Sequence, residues 1–139
     1  MGHAVELTIP ARSDHLALVR LMVQAAASID GRVPERRIDD LRLAVSEACA
    51  NALDAQHKAG SEAPVHTIIE LEDTEVAVTV TDHAGGFDVE SLDPIPPVTD
   101  PTRLRHERGL GIPLMRSLVD EVTFTRTPSG TAVRLVVRI

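Results

Sequence analysis

The chain predicts an α+β fold, a two-layer α/β sandwich with a mixed, mostly antiparallel sheet covered by helices on one face. Three observations carry this. Residues 65–72 and 75–82 are strand-like and separated only by Asp73-Thr74, so they read as a hairpin. Residues 121–127 and 131–139 flank Pro128-Ser129-Gly130 and read as a second hairpin. The helical patterns stand apart from these strands rather than alternating with each one, which argues against a parallel sheet.

Taken in order, Val5, Leu7 and Ile9 alternate with polar neighbours and open the chain as a strand, which Pro10 stops. Ser13-Asp14 is placed to cap a helix with an apolar face of Leu16, Val19, Leu21, Met22 and Val23. Gly31 and Pro34 interrupt. A second helix is expected over 34–58, with Pro34 near its first turn and Gly60 just past its end. Its apolar stripe is Ile38, Leu41, Val45, Ala48, Cys49 and Ala52. After the first hairpin comes an irregular stretch, about 88–108, long for a connection in so small a domain. Four of the nine prolines fall in it. A third helix is expected from near Gly109 to about Asp120. The whole, 1–139, reads as one domain.

Composition narrows the functions. Hydrophobic residues make up 43% and charged residues 25%, which is ordinary for a globular domain. Two Phe are the only aromatic residues, so the core is aliphatic and a bound base receives little stacking. A net charge of −7 argues against a nucleic-acid partner, although Arg103, Arg105 and Arg108 are clustered. No apolar run approaches the ~20 residues of a membrane span. A single cysteine excludes an internal disulfide and fits a reducing cytoplasm.

Four constellations could carry chemistry. Val76, Val78 and Val80 share a strand face, and Asp82 continues it to the buried side, followed by Gly85-Gly86. A carboxylate there is costly without hydrogen bonds, and it suits an exocyclic amine such as adenine N6. Its plain alternative is an Asx turn. Glu47 and Asn51 stand at i and i+4 on one helix face, opposite the stripe centred on Val45. They form either a solvated surface or a proton acceptor beside a Mg²⁺-ligating amide. Gly109-Leu110-Gly111-Ile112 enters a helix whose free N–H groups attract phosphate, or it is a hinge. Thr131 is in phase with Val133, Leu135 and Val137, so its hydroxyl faces either a ligand or its own backbone. The histidines lack metal-ligand spacing.

The order of these signals, Glu-xxx-Asn, strand-Asp-x-x-Gly-Gly, a lid over about 88–108, Gly-Leu-Gly, then Gly-Thr before a last strand, resembles the GHKL ATP-binding superfamily. Ser46-Glu47-Ala48-Cys49-Ala50-Asn51-Ala52 and Leu114-Met115-Arg116-Ser117-Leu118-Val119-Asp120-Glu121-Val122 are similar to its RsbW-type serine-protein kinase anti-sigma factors. The resemblance implies the Bergerat ATP-binding fold and use of ATP and Mg²⁺. Glu47 matches the catalytic base and Asn51 the Mg²⁺ ligand. Asp82 matches the adenine-binding acid, and Gly86, Gly109, Leu110, Gly111, Ile112 and Thr131 match the nucleotide boxes. Arg103, Arg105 or Arg108 would supply a lid cation to the phosphates, with the choice among the three left open.

It also implies a sigma factor as partner, a STAS-type anti-anti-sigma factor as serine substrate, and a homodimer, so the protein would act in transcription regulation. Two alternatives are a non-catalytic sequestering module and a stand-alone ATPase domain serving a histidine-phosphotransfer partner. The family pattern is Asp-x-Gly-x-Gly, and Ala84 stands at its middle glycine. Alanine tolerates positive φ poorly, which bears on nucleotide affinity unless Gly85 absorbs the turn.

Overall fold

The computed structural model describes residues 2–29, 31–85 and 107–139, with side chains omitted for 107–111. The strands are β1 (His3–Ile9), β2 (Val65–Leu71), β3 (Glu75–Thr81), β4 (Glu121–Arg126) and β5 (Thr131–Arg138). The helices are α1 (Leu16–Ala27), preceded by a 3-10 turn at Ser13–His15, α2 (Glu35–Ala59) and α3 (Glu107–Leu118). The sheet order is β1-β2-β3-β5-β4. Among the described residues the four strand pairings are all antiparallel, where the sequence predicts a mixed, mostly antiparallel sheet.

Period-two alternation makes the sheet two-sided. Val65, Thr67, Ile69 and Leu71 of β2 are buried while their neighbours are half-exposed. Across the sheet, Ile69 pairs with Val78 and Val78 with Leu135, which builds one aliphatic layer. Helix α2 lies on it with Leu41, Val45 and Cys49 fully buried, joined by Val19 and Val23 of α1 and Met115 of α3. Each such Val or Leu contributes about 1.5–3 kcal/mol over leaving it exposed. Cys49 is core, and burial pushes its thiol up to about 12, so it is uncharged at neutral pH.

Helix α2 begins and ends as its sequence directs. Pro34 is the N-cap, and Gly60 closes the helix in the left-handed conformation at φ 68°. Helix α1 departs from expectation. Neither Ser13 nor Asp14 accepts a capping hydrogen bond from the helix; Asp14 instead pairs with Arg12 and His15. Leu21, placed on the apolar face by its sequence, is 63% exposed, and Ala26 and Ala27 are buried instead. Small residues let α1 approach the sheet along a track rotated away from Leu21.

Helix α3 starts at Glu107, two residues before the expected Gly109, so Gly109 and Gly111 lie inside its first turns. Its far end is clamped. Arg37 donates to the Leu118 carbonyl (3.0 Å) and pairs with Asp120 and Asp40 (both 3.1 Å). Asp120 also accepts the Arg138 N–H at 2.7 Å. That backbone bond, helped by Arg37, holds the Asp120 carboxyl below the usual range despite some opposing desolvation.

Candidate functional site

Asp82 follows the last residue of β3 and stays on the helix-facing side, 6% exposed. Two backbone N–H groups reach its Oδ1, from Ala84 at 3.1 Å and Thr131 at 3.2 Å. Its own N–H donates to the Thr131 carbonyl at 2.9 Å. The β3–β5 ladder therefore runs one residue beyond the strand and carries the acid with it. Gly130 permits this approach: a Cβ there would fall on the Asp82 carbonyl oxygen and lie 2.6 Å from Oδ1. The turn that follows is taken by Gly85 at φ 86°, and no non-glycine among the described residues has positive φ. Ala84 thus replaces a glycine without being asked for left-handed backbone.

Asp82 lines a cleft of about 390 Å³ between α2 and the sheet. That volume falls in the roughly 300–1,000 Å³ range of small-molecule sites. Ala48, Ala52 and Ala55 of α2 form one wall, Val80 and Val133 another, and Ile112 and Phe124 come from α3 and β4. Phe124 is opposite Val133 in the β4–β5 register, so it could have been placed from strand alternation once the pairing was known. The polar groups in this apolar setting are few: Asn51, Asp82, Thr131, and Lys58, which pairs with Asp54 at 3.1 Å.

Two buried hydroxyls among the described residues lack a hydrogen-bond partner, Thr67 Oγ1 and Thr131 Oγ1. Thr67 neighbours the buried Cys49 thiol, a weak partner inside the core. Thr131, 1% exposed, borders the cleft. An unpaired buried hydroxyl is unfavourable, so it marks a place where a ligand's polar atom is welcome.

The structure thus brings Asn51, Asp82, Ile112 and Thr131 to one cleft. It does not bring Glu47 there. Glu47, half-buried, borders a separate groove between α1 and α2 with Arg20, Arg42 and Ser46. Glu47 and Asn51 are neighbours one turn apart on α2, as the sequence predicts, but they sit on either side of its ridge, Asn51 toward the cleft and Glu47 toward the groove. Gly109, Leu110 and Gly111 are placed as helix backbone only. Gly86, Arg103, Arg105 and the stretch 88–106 lie outside the described residues, and the side chain of Arg108 is likewise not described.

Sequence reasoning missed Gln56. It is fully buried on α2, donates Nε2 to the Ala63 carbonyl (2.5 Å) and accepts the His83 N–H at Oε1 (2.8 Å). The signal was available, since Gln56 follows Ala52 by one helical turn on the apolar stripe. Among the described residues no group of three or more His, Cys, Asp or Glu could hold a metal. No helix there is long and apolar enough to cross a membrane.

Comparison with known proteins agrees with this geometry. Residues 9–137 match the histidine kinase-like ATPase domain family. The serine-protein kinase RsbW of Bacillus pumilus is 34% identical over 137 residues, covering 94% of this chain and 83% of that protein. That of Bacillus subtilis is 32% identical, covering 94% of this chain and 82% of its own length. A solved structure of the RsbU and RsbW domains of a Mycobacterium tuberculosis protein superposes with a TM-score of 0.70 at 19% identity. The match covers 98% of this chain but only 32% of that one, and it shows the fold. With a family match across nearly its whole length and relatives above 30% identity, the chain belongs to the histidine kinase-like ATPase domain family, as a serine-protein kinase of the RsbW type.

Proposed function

We propose that this kinase binds ATP in the Asp82 cleft and phosphorylates a serine of a STAS-type anti-anti-sigma factor. In its other state it sequesters a sigma factor, with a second copy of the chain completing a homodimer. The observation that carries the nucleotide assignment is the pairing of a buried, doubly hydrogen-bonded carboxylate with an orphan hydroxyl in a mostly apolar cleft. Backbone donors hold Asp82 through Oδ1, and its second oxygen accepts from the adenine 6-amino group. Thr131 Oγ1 meets a ring nitrogen or an ordered water beside it. Among the described residues Phe124 is the one aromatic side chain that lines the cleft, so base affinity there rests on these polar contacts and on aliphatic surface.

The residues present suit Mg²⁺ in a limited way. Asn51 offers one amide oxygen, and the rest of an octahedral set would be phosphate oxygens and water, which is usual for this ion. Bound there, the ion would offset charge on the phosphates. The reaction joins serine Oγ to the γ-phosphorus and breaks its bond to the β–γ bridging oxygen, releasing ADP. Glu47 orients the serine hydroxyl and accepts its proton. The start of α3, whose first turns hold Gly109, Leu110 and Gly111, and an arginine of the 88–108 segment, Arg105 first, face the phosphates, the glycines allowing close approach.

A second reading, nucleotide binding and sequestration without transfer, is favoured by one observation: Glu47 borders a different cavity from Asn51 and Asp82. One experiment separates the readings. Labelled ATP is incubated with the protein and its anti-anti-sigma factor. Acid-stable label on the antagonist, abolished by Glu47→Gln, is the expected outcome. Nucleotide binding with no transfer supports the sequestering module. Acid-labile label on a separate protein supports service to a histidine-phosphotransfer partner.

A further inference from the structure

The Asp82 carboxylate is held from the β5 side by Thr131, but β2 gives it nothing on the other side. The β2–β3 register ends at His66 opposite Thr81. Carried two residues further, it sets Pro64 against His83, and strand pairing has already stopped. The His83 N–H, directly after Asp82, is instead taken by the Gln56 side chain at 2.8 Å. The same amide donates to the Ala63 carbonyl at 2.5 Å, in the loop that leads into β2.

The orientation of this amide is fixed by chemistry. An N–H can only meet Oε1 and a carbonyl can only meet Nε2, so the two partners leave a single arrangement. A primary amide this deeply buried is tolerated only when so satisfied. Gln56 is 0% exposed and does not line the cleft, so no ligand touches it. Its reach is through His83 to the adjacent Asp82.

We propose that Gln56 is a positioning residue for nucleotide recognition: it pins the backbone after Asp82 and so aims the carboxylate at a purine 6-amino group. This rests on the reading of Asp82 as the adenine acceptor. Thr131 fixes one flank of the acid and Gln56 the other. Release of the Gln56 flank lets the carboxylate swing, and what is lost first is discrimination between bases rather than binding as such.

The test is calorimetric titration with ADP and with inosine diphosphate, whose 6-carbonyl cannot donate. Gln56→Leu removes both hydrogen bonds and is expected to weaken ADP about tenfold while changing inosine diphosphate much less. Gln56→Glu keeps an acceptor for His83 but sets a carboxylate oxygen against the Ala63 carbonyl, so it is expected to retain the selectivity ratio at lower thermal stability. Equal weakening of both nucleotides by Gln56→Leu, or an unchanged ratio, overturns the proposal.

Should the leucine variant fail to fold, hydrogen exchange on the wild-type chain decides. The His83 amide is expected to be protected as well as the β3 amides, and rapid exchange overturns the role. Asp82→Asn is titrated in parallel. If it keeps the wild-type ratio, the adenine reading of the cleft fails. If it collapses the ratio while Gln56→Leu does not, only the Gln56 role fails.

Discussion

The Asp82 cleft and the Glu47 groove share helix α2 and are built on opposite plans. The cleft, about 390 Å³, is walled by Ala, Val, Ile and Phe side chains, and its acid is buried and tied to backbone. The groove, about 830 Å³ between α1 and α2, is lined by Arg20, Arg42, Asp39, Gln24, Ser46 and Glu47. It also exposes Leu21 at 63% and Leu43 at 46%. A base is selected by a few fixed donors and acceptors in a dry setting, where each is worth more than in water. A serine on another protein must arrive from solvent, so the group that receives its proton belongs on an open, charged surface. On the proposed assignment of nucleotide to the cleft and of the serine hydroxyl to Glu47, the contrast is that of a site built to hold and a site built to be reached.

Substitutions can break that division. The largest expected effect is Glu47→Gln, which should lower serine phosphorylation by about a hundredfold or more. It should leave ADP affinity, measured by calorimetry, within experimental scatter. Weakened nucleotide binding in this variant would mean the two cavities act as one. Asp82→Asn should do the reverse, costing about ten- to a hundredfold in ADP affinity, because its new N–H faces the adenine amine. Phosphorylation by that variant should recover at saturating ATP. No change in its affinity would remove the acid from the base site.

Gly130→Ala tests the close approach of β5 to Asp82. The added methyl meets the Asp82 carbonyl, a backbone atom with no room to yield. Urea unfolding should show a loss of about 1–3 kcal/mol, with weaker nucleotide binding in the surviving fold. Thr131→Val is the sharper and smaller probe. The hydroxyl has no partner among the described residues, so thermal stability should hold or rise slightly, while ADP affinity falls about fivefold. A loss of stability with unchanged affinity would make Thr131 a structural residue.

The smallest effect lies away from both sites, at the clamp on α3. The folded chain holds the Asp120 carboxyl below its ordinary range. Its contribution is therefore present above the unfolded value and lost as pH falls through the folded one. Asp120 is a third exposed, so the gain is modest. Asp120→Asn should flatten the acid side of the stability–pH curve without changing nucleotide selectivity. An unchanged acid slope would show that the Arg138 N–H and Arg37 do not hold it in solution.

Much of this molecule was legible in particular residues. Pro34 and Gly60 bracket α2 because one tolerates a missing N–H and the other a left-handed turn. Val76, Val78 and Val80 fix the face of Asp82, since a strand turns its side chains over every two residues, and Thr131 follows from Val133 and Leu135 in the same way. Such local periodicities need no knowledge of the partner element. Helix α1 is less legible, because its apolar residues exceed what one face can bury and only packing selects Ala26 and Ala27 over Leu21.

The amino-acid order by itself therefore determined which elements form, which way their side chains alternate, and that an acid and a hydroxyl would face the helices. Tertiary structure alone decided that β5 would lie beside β3, so that Thr131 and Gly130 close on Asp82 across 49 residues of chain. It also decided that Gln56 would stand in for a missing strand, and that Glu47 would open into a different cavity from Asn51. The physical reason is range. Periodicity is set by each residue's nearest neighbours, whereas a hydrogen bond between distant segments depends on where the packed helices and sheet finally place them.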